Sequence, residues 1–347
     1  MSLSRRRFAA QALALPFSLW AARALGQARP SPVILASGGA RPNAPALSAP
    51  AYAKAADEGA DFLAGGLVPT KDGLLVVRED NELSAATDVA NRPEYGERRA
   101  TRVIDGQTRE GWFTEDFTVA ELKSLNLVGA GRPGRNPAGR PTILTLDDLI
   151  GVARAACVRQ ARVVGVVAVL KHPAYFANLD LEMESKLAQA ISRQGYDSPA
   201  AALFAASEDP RSLTRLAGLT RARRMQIAGT TLTGEDTLAP QDLQSAQALA
   251  ALAGRVTALA APADRLLNVA NPKAPALSDL GSAAQSAHLP LIAWTEVPGL
   301  AFPPPPLRAN DTRRLMASLF AMGMMGVWTD QVSLAVRARN DAESGRK

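Results

Sequence analysis

Side chains that move protons or hold metals are scarce in this chain. Its 347 residues include two histidines, His172 and His288, and one cysteine, Cys157. A reaction that deprotonates an attacking group and protonates a leaving one needs two placed acid–base groups. His172 lies in "VLKHPAYF", just past an apolar run, beside Lys171. His288 lies in "SAHLPLIAWT", at the end of a helical stretch, where a structural role is the simpler reading. Cys157 continues the apolar stripe of Leu149, Ile150 and Ala153. It reads as a buried packing thiol, and a single cysteine excludes an intrachain disulfide. Glu79, Asp80, Glu82, Glu296 and Asp330 are carboxylates that could cluster, although each also reads as a solvated or loop-bonding group.

Such groups act together only if the fold gathers them. Eight short apolar runs predict strands at 33–36, 62–67, 163–169, 202–206, 224–228, 256–260, 290–294 and 326–328. Amphipathic stretches at 179–193, 240–253, 274–288 and 311–322 predict helices between them. Thr118–Glu121 and Thr145–Asp148 carry capping-box patterns at helix starts. The alternation predicts an α/β chain forming one TIM (β/α)8 barrel, with the strand ends lining a common mouth. A doubly wound open sheet is the competing arrangement, but no Gly-x-Gly-x-x-Gly follows the first strand. Lys71-Asp72-Gly73, between apolar runs, predicts a hairpin extending the second strand. Residues 80–116 read as a long, polar, strand-poor inserted loop, pinned to the barrel by Trp112 and Phe113.

Residues 1–28 read as a signal peptide, with Ser4-Arg5-Arg6-Arg7-Phe8, an apolar run and small residues near Gly26 and Ala28. The arginine pattern is that of a twin-arginine export address, so the expected location is periplasmic or secreted. An uncleaved membrane helix is the other reading, but Pro16 interrupts the run and it is short for a span. The mature protein, 29–347, is then one domain with no stable membrane span. Removing the segment takes four arginines and no acids, so the net charge falls from +6 to +2. The densest remaining basic run, Arg221 to Arg224, has no interleaved aromatics and reads as a solvated loop or helix end. No nucleic-acid partner is expected.

The stretch "GADFLAGGLVPTKDGLLVVREDNELSAATDV", followed in order by "LKHPAYF", "HLPLIAWT" and "MGVWTDQVSLAVRAR", resembles the exported bacterial glycerophosphodiester phosphodiesterases. The resemblance runs from Pro32 to about Arg339. It implies a TIM barrel that hydrolyses glycerophosphodiesters to an alcohol and glycerol 3-phosphate. It also implies two histidines for acid–base work and a divalent cation, calcium or magnesium, held by carboxylates.

Carried over residue by residue, those roles fail. The family's His-Arg-Gly falls on Ala36, Ser37 and Gly38, and its second histidine on Glu79. The metal carboxylates fall on Asn43, Ala64, Gly66 and Val169. Lys171 alone stands where the family has a phosphate-facing lysine. Matching residues flank each replaced position, and two histidines in all cannot supply the missing pair under any shift of alignment.

The resulting expectation is a catalytically degenerate member of the family, a pseudoenzyme with no cofactor. It would hold a small phosphodiester, another ligand or a protein partner at a mouth lined by Lys171, Ser37, Asn43, Glu79 and Trp294. The competing reading is an active phosphoric diester hydrolase with relocated groups. The proline run of "AFPPPPLR", 301–308, would form a stiff loop at the same mouth.

Overall fold

The computed structural model describes residues 31–39, 44–128, 141–228, 243, 245–268, 275–295 and 311–345. Among the described residues thirteen strands are formed: β1 Val33–Ser37, β2 Phe62–Pro69, β3 Leu75–Val77, β4 Ala100–Ile104, β5 Gln107–Gly111, β6 Gly165–Leu170, β7 Leu203–Ser207, β8 Arg223–Ile227, β9 Ala258–Pro262, β10 Leu267–Asn268, β11 Ala276–Leu277, β12 Leu291–Trp294 and β13 Gly326–Thr329. The helices are α1 Ala49–Asp57, α2 Val119–Ser124, α3 Leu146–Gln160, α4 Pro173–Ala177, α5 Met183–Arg193, α6 Pro210–Ala217, α7 Ala246–Ala253, α8 Ala263–Leu266, α9 Asp279–Ser286, α10 Thr312–Ala321 and α11 Val332–Ser344.

Eight of the strands close a parallel barrel in the order β1-β13-β12-β9-β8-β7-β6-β2, with β2 returning to β1. The closing register sets Val33 against Gly326 and Leu35 against Phe62. Each of the eight apolar runs became one of these strands, because parallel strands covered on both faces must be apolar on both. Alternation sorts their side chains. Leu35, Phe62, Ala64, Val167, Val169, Phe204, Ala206, Met225, Ala260, Ile292 and Trp328 fill the barrel interior. Ile34, Ala36, Leu63, Val166, Ala168, Ala205 and Val327 pack outward against the helices. Both predicted capping boxes are formed, at Thr118–Glu121 and Thr145–Asp148.

The basic run at 221–224 departs from the solvated reading. Arg223 belongs to β8 and is buried in the barrel floor, with its guanidinium 4.3 Å from the Phe204 ring centre and 5.7 Å from that of Phe62. Its Nη2 donates to the Ala201 carbonyl at 2.6 Å, and burial pulls its pKa down to about 10. Strand alternation turned a surface-looking arginine inward.

β2 and β3 form the expected hairpin through Lys71-Asp72-Gly73, pairing Leu67 with Val77 and Pro69 with Leu75. The insertion after it is not strand-poor. β4 and β5 make an antiparallel hairpin turning at Asp105-Gly106, both with positive φ (48° and 77°). Trp112 and Phe113 anchor it as expected: Phe113 is fully buried, and the Trp112 indole donates to the Tyr95 carbonyl at 2.6 Å.

The ends of the barrel's chain are tied at Asp61. Its Oδ2 accepts from the Ile34 amide at 2.8 Å and from Arg339 Nη1, on α11, at 2.7 Å.

Candidate functional site

The C-terminal strand ends bring few polar side chains to the mouth. Lys171 follows β6 and Glu208 follows β7, each in the inward register of its strand. Lys171 Nζ lies 3.7 Å from Glu79 Oε2 and 3.6 Å from Glu208 Oε1. Burial alone would lower the Lys171 pKa, but the carboxylates of Glu208 and Glu79 outweigh it and hold the ammonium charged. The lysine is therefore a cation and not a neutral amine poised for Schiff-base chemistry. Gln226 donates from Nε2 to the Glu208 carbonyl at 2.8 Å, fixing the backbone beneath that carboxylate.

Glu79 reaches the mouth by crossing the end of β2. Its Oε1 accepts from the Gly66 amide at 3.2 Å, and the Gly66 carbonyl accepts from the Arg78 amide at 2.8 Å. The crossing is tight. A Cβ on Gly66 would lie 2.3 Å from the Arg78 carbonyl oxygen and 3.0 Å from Glu79 Cα. The chain that carries Glu79 thus occupies the space a side chain at 66 would need.

Across the mouth, Trp294 of β12 and Trp328 of β13 stack with ring centres 5.3 Å apart and 24° between planes. Trp328 is 5% exposed and Trp294 half-buried, and both pack on the barrel interior.

Of the other expected site residues, Ala64 and Val169 line the barrel interior, and Ser37 ends β1 in the inward register. Ala36 is not brought to the mouth: it packs outward with Ile34. Asn43, Glu296 and the proline run lie outside the described residues.

The histidines serve structure. His172 takes a left-handed conformation (φ 53°) as it begins α4. Its Nδ1 is 2.5 Å from Asp105 Oδ2 at the tip of the inserted hairpin, and its Nε2 is 3.9 Å from Asp80. Asp80 in turn pairs with Arg109 of β5. His288, exposed and left-handed (φ 55°), ends the turn after α9. Cys157 is half-buried, more open than a core thiol, and its Sγ accepts from the Val164 amide at 3.1 Å.

A second polar cluster fastens the inserted hairpin. Buried Glu115 accepts from Tyr175 at 2.6 Å, from Arg102 Nη1 at 3.1 Å and from Asn81 at 3.1 Å. Arg102 Nη2 also donates to Asp116 at 2.6 Å. Burial, reinforced by the Glu115 carboxylate, pushes the Tyr175 phenol up to about 12.

A hard divalent cation needs about six oxygen ligands, with carboxylates supplying the charge. Ala64 and Val169 offer no side-chain oxygen and Gly66 has no room for one. Asp80 and Glu82, from the suggested relocated set, bond the hairpin and the Ser84 amide instead. No three His, Cys, Asp or Glu among the described residues are grouped to hold a metal. Among the described residues the donor set does not fit the cation that the resemblance implies.

Glu208 and Trp328 were missing from the sequence-based site. Each sits at an inward position at or just past a strand end, a signal that emerges only once the strand's final residue is known.

Residues 38–334 match the model of the glycerophosphoryl diester phosphodiesterase family. A glycerophosphodiester phosphodiesterase of Arabidopsis thaliana is 35% identical over 175 residues, which cover 48% of this chain and 45% of the relative. One from Haemophilus influenzae is 26% identical over 202 residues, covering 55% of this chain and 53% of the relative. The matched segments thus span about half the length of these curated relatives. Among solved structures, an Agrobacterium tumefaciens glycerophosphodiester phosphodiesterase superposes with a TM-score of 0.56 at 15% identity, covering 88% of this chain and 98% of that one. An Oleispira antarctica phosphodiesterase, solved with the product sn-glycerol-3-phosphate, gives 0.58 at 16% identity, covering 89% and 97%. The match runs through the barrel from its first loop to its last helix, and the chain belongs to the glycerophosphoryl diester phosphodiesterase family.

Proposed function

We propose that this protein is an exported, catalytically degenerate family member that binds a small ligand at the barrel mouth without hydrolysing phosphodiesters at enzymatic rates. The observation that carries this reading is the blocked space at Gly66, where the Arg78 carbonyl stands 2.3 Å from any added Cβ. A metal carboxylate is thus lost together with the room for it. Loss of general acid and base each costs a factor of about 10² to 10⁴, and loss of the cation removes further stabilisation of developing charge. Binding is the function left to the mouth, and the Oleispira antarctica relative, solved with sn-glycerol-3-phosphate, supports a small polyol derivative as the scale of occupant.

The second reading is a hydrolase with relocated groups. Glu79 and Glu208 beside Lys171 are the observation in its favour. The deciding experiment is turnover of glycerophosphocholine and glycerophosphoethanolamine by the purified protein with calcium or magnesium, with calorimetry of metal binding. No turnover and no metal binding are expected. Turnover at ordinary enzymatic rates would overturn the binding reading. Export is tested by fractionating cells that carry Arg5→Lys/Arg6→Lys. Retention of this variant in the cytoplasm, with the unmodified chain in the periplasm or medium, is the expected result.

A further inference from the structure

We propose that the mouth takes an uncharged polyhydroxylated ligand, a polyol or sugar, in preference to a phosphate ester or a quaternary ammonium cation. The proposal rests on the reading that the mouth binds a ligand. It starts from the two indoles. The Nε1–H groups of Trp294 and Trp328 are both buried, and neither has a hydrogen-bond partner among the described residues. Trp328 is 5% exposed, and because Val327 packs outward its indole faces the barrel interior at the mouth end of β13. Buried donors are nearly always paired, and leaving one unmade forfeits its whole hydration. Two such donors side by side at the mouth want acceptor atoms that the described residues do not supply.

The opposite wall supplies the rest of the recognition. In the closed strand order β6 stands four strands from β12, and β7 four strands from β13. Lys171 and Glu208 therefore face the indole pair across the barrel, with Glu79 beside them over β2. The Glu79 side chain is 52% exposed, so its carboxylate is open to a ligand. These three groups sum to a charge of −1, with the Lys171 ammonium shared between the two carboxylates; the buried Arg78 guanidinium also interacts with Glu79.

Each ligand class can be set against this arrangement. A phosphate ester could accept from the indoles and from Lys171, but it adds negative charge to a wall that is already net negative and partly desolvated. A quaternary ammonium suits the carboxylates and an aromatic face, but it has no lone pair for either indole N–H. A hydroxyl both donates and accepts. It satisfies Glu79 and Glu208 as a donor and the indoles and Lys171 as an acceptor, with no net charge to desolvate. The apolar C–H face of a polyol or pyranose lies flat on half-exposed Trp294, an aromatic with one apolar side and one polar handle.

The test titrates the purified protein with glycerol, myo-inositol and glucose, and in parallel with glycerol 3-phosphate, glycerophosphocholine and choline. Tryptophan fluorescence and saturation-transfer NMR are the readouts. Polyols or sugars are expected to bind more tightly than the three charged compounds. Trp328→Phe keeps an aromatic face but removes the N–H, so polyol affinity should fall about tenfold while circular dichroism shows the barrel still folded. Glu208→Gln should narrow the gap between glycerol and glycerol 3-phosphate. Tighter binding of glycerol 3-phosphate or choline by the unmodified protein would overturn the proposal, as would no polyol binding at all. Unchanged polyol affinity in folded Trp328→Phe, with the indole N–H groups bonded to water only, would do the same. Metal-dependent turnover of glycerophosphocholine would instead overturn the binding reading, so the two failures are distinguishable.

Discussion

Two polar clusters lie close together in this molecule and differ in kind. Beneath the inserted hairpin, Glu115, Arg102, Asp116, Tyr175 and Asn81 are knit by several short hydrogen bonds. At the mouth, Lys171, Glu79 and Glu208 meet at 3.6–3.7 Å, and two indole donors opposite them have no hydrogen-bond partner among the described residues. The first cluster is densely bonded within itself, although Asn81 Oδ1, Arg102 Nε and Asp116 Oδ2 are left unpaired among the described residues, and it makes the hairpin part of the barrel. The second is incomplete among the described residues, as the ligand proposal requires. Density of polar residues is therefore a poor guide to function here. The better-bonded cluster is the structural one.

Several measurements would break or sharpen this contrast. The largest effect is expected at Glu115, whose carboxylate has three strong donors. Glu115→Ala leaves Arg102 and Tyr175 with a buried gap and should cost about 3–5 kcal/mol in urea denaturation. A loss comparable to a surface substitution would show that this cluster is not structural. Gly66→Asp restores a family carboxylate but drives its Cβ into the Arg78 carbonyl. It should cost about 1–3 kcal/mol and bring no calcium affinity by calorimetry. A stable, calcium-binding variant would mean that the mouth had only lost a ligand and not been rebuilt.

Lys171→Met removes the cation between two carboxylates. The expected cost is about 1.5 kcal/mol in urea denaturation at neutral pH, because two facing carboxylates lose the cation between them. The smallest effect concerns the rim of the hairpin cluster. Arg98, helped by the Thr118 amide, pulls the Glu121 carboxyl from 4.5 down to about 2. A depressed folded-state pKa gives stability that is complete above the unfolded value and lost as pH falls through the folded one. Stability should therefore drop between about pH 4.5 and 2. With both side chains about a third exposed, screening limits this to about 1 kcal/mol. Glu121→Gln should abolish that part of the acid dependence.

The barrel was legible in the sequence because its strands are buried on both faces. Runs such as "VILA" and "GVVAV" are strands whatever their partners, and Thr118 and Thr145 announce their helices by local hydrogen bonds. The β4–β5 hairpin was not legible. It exposes charge on both faces and leaves Val103 62% exposed, so it shows no period-two pattern, although Asp105-Gly106 is a good turn signal. Lys171 and Glu79 were legible only through the family resemblance, and the structure sets their charged ends 3.7 Å apart. Glu208 and Trp328 were not, because their direction depends on strand alternation counted from boundaries known only in the structure. Ala36 shows the same dependence in reverse: one step of alternation sends it outward.

The closure of the barrel has a consequence for how the protein is made. β1 is the first barrel strand to be synthesised, yet it pairs with β13, the last, as well as with β2. Six other barrel strands and nearly all the helices must be synthesised before that second neighbour exists. Until then β1 carries an open edge of amide and carbonyl groups, and the Asp61 tie to Arg339 cannot form. A ring joined by its earliest and latest strands offers no closed intermediate during translation. Barrel closure must therefore wait until β13 has been made, and the interval before it is when the nascent barrel most needs a chaperone to shield it.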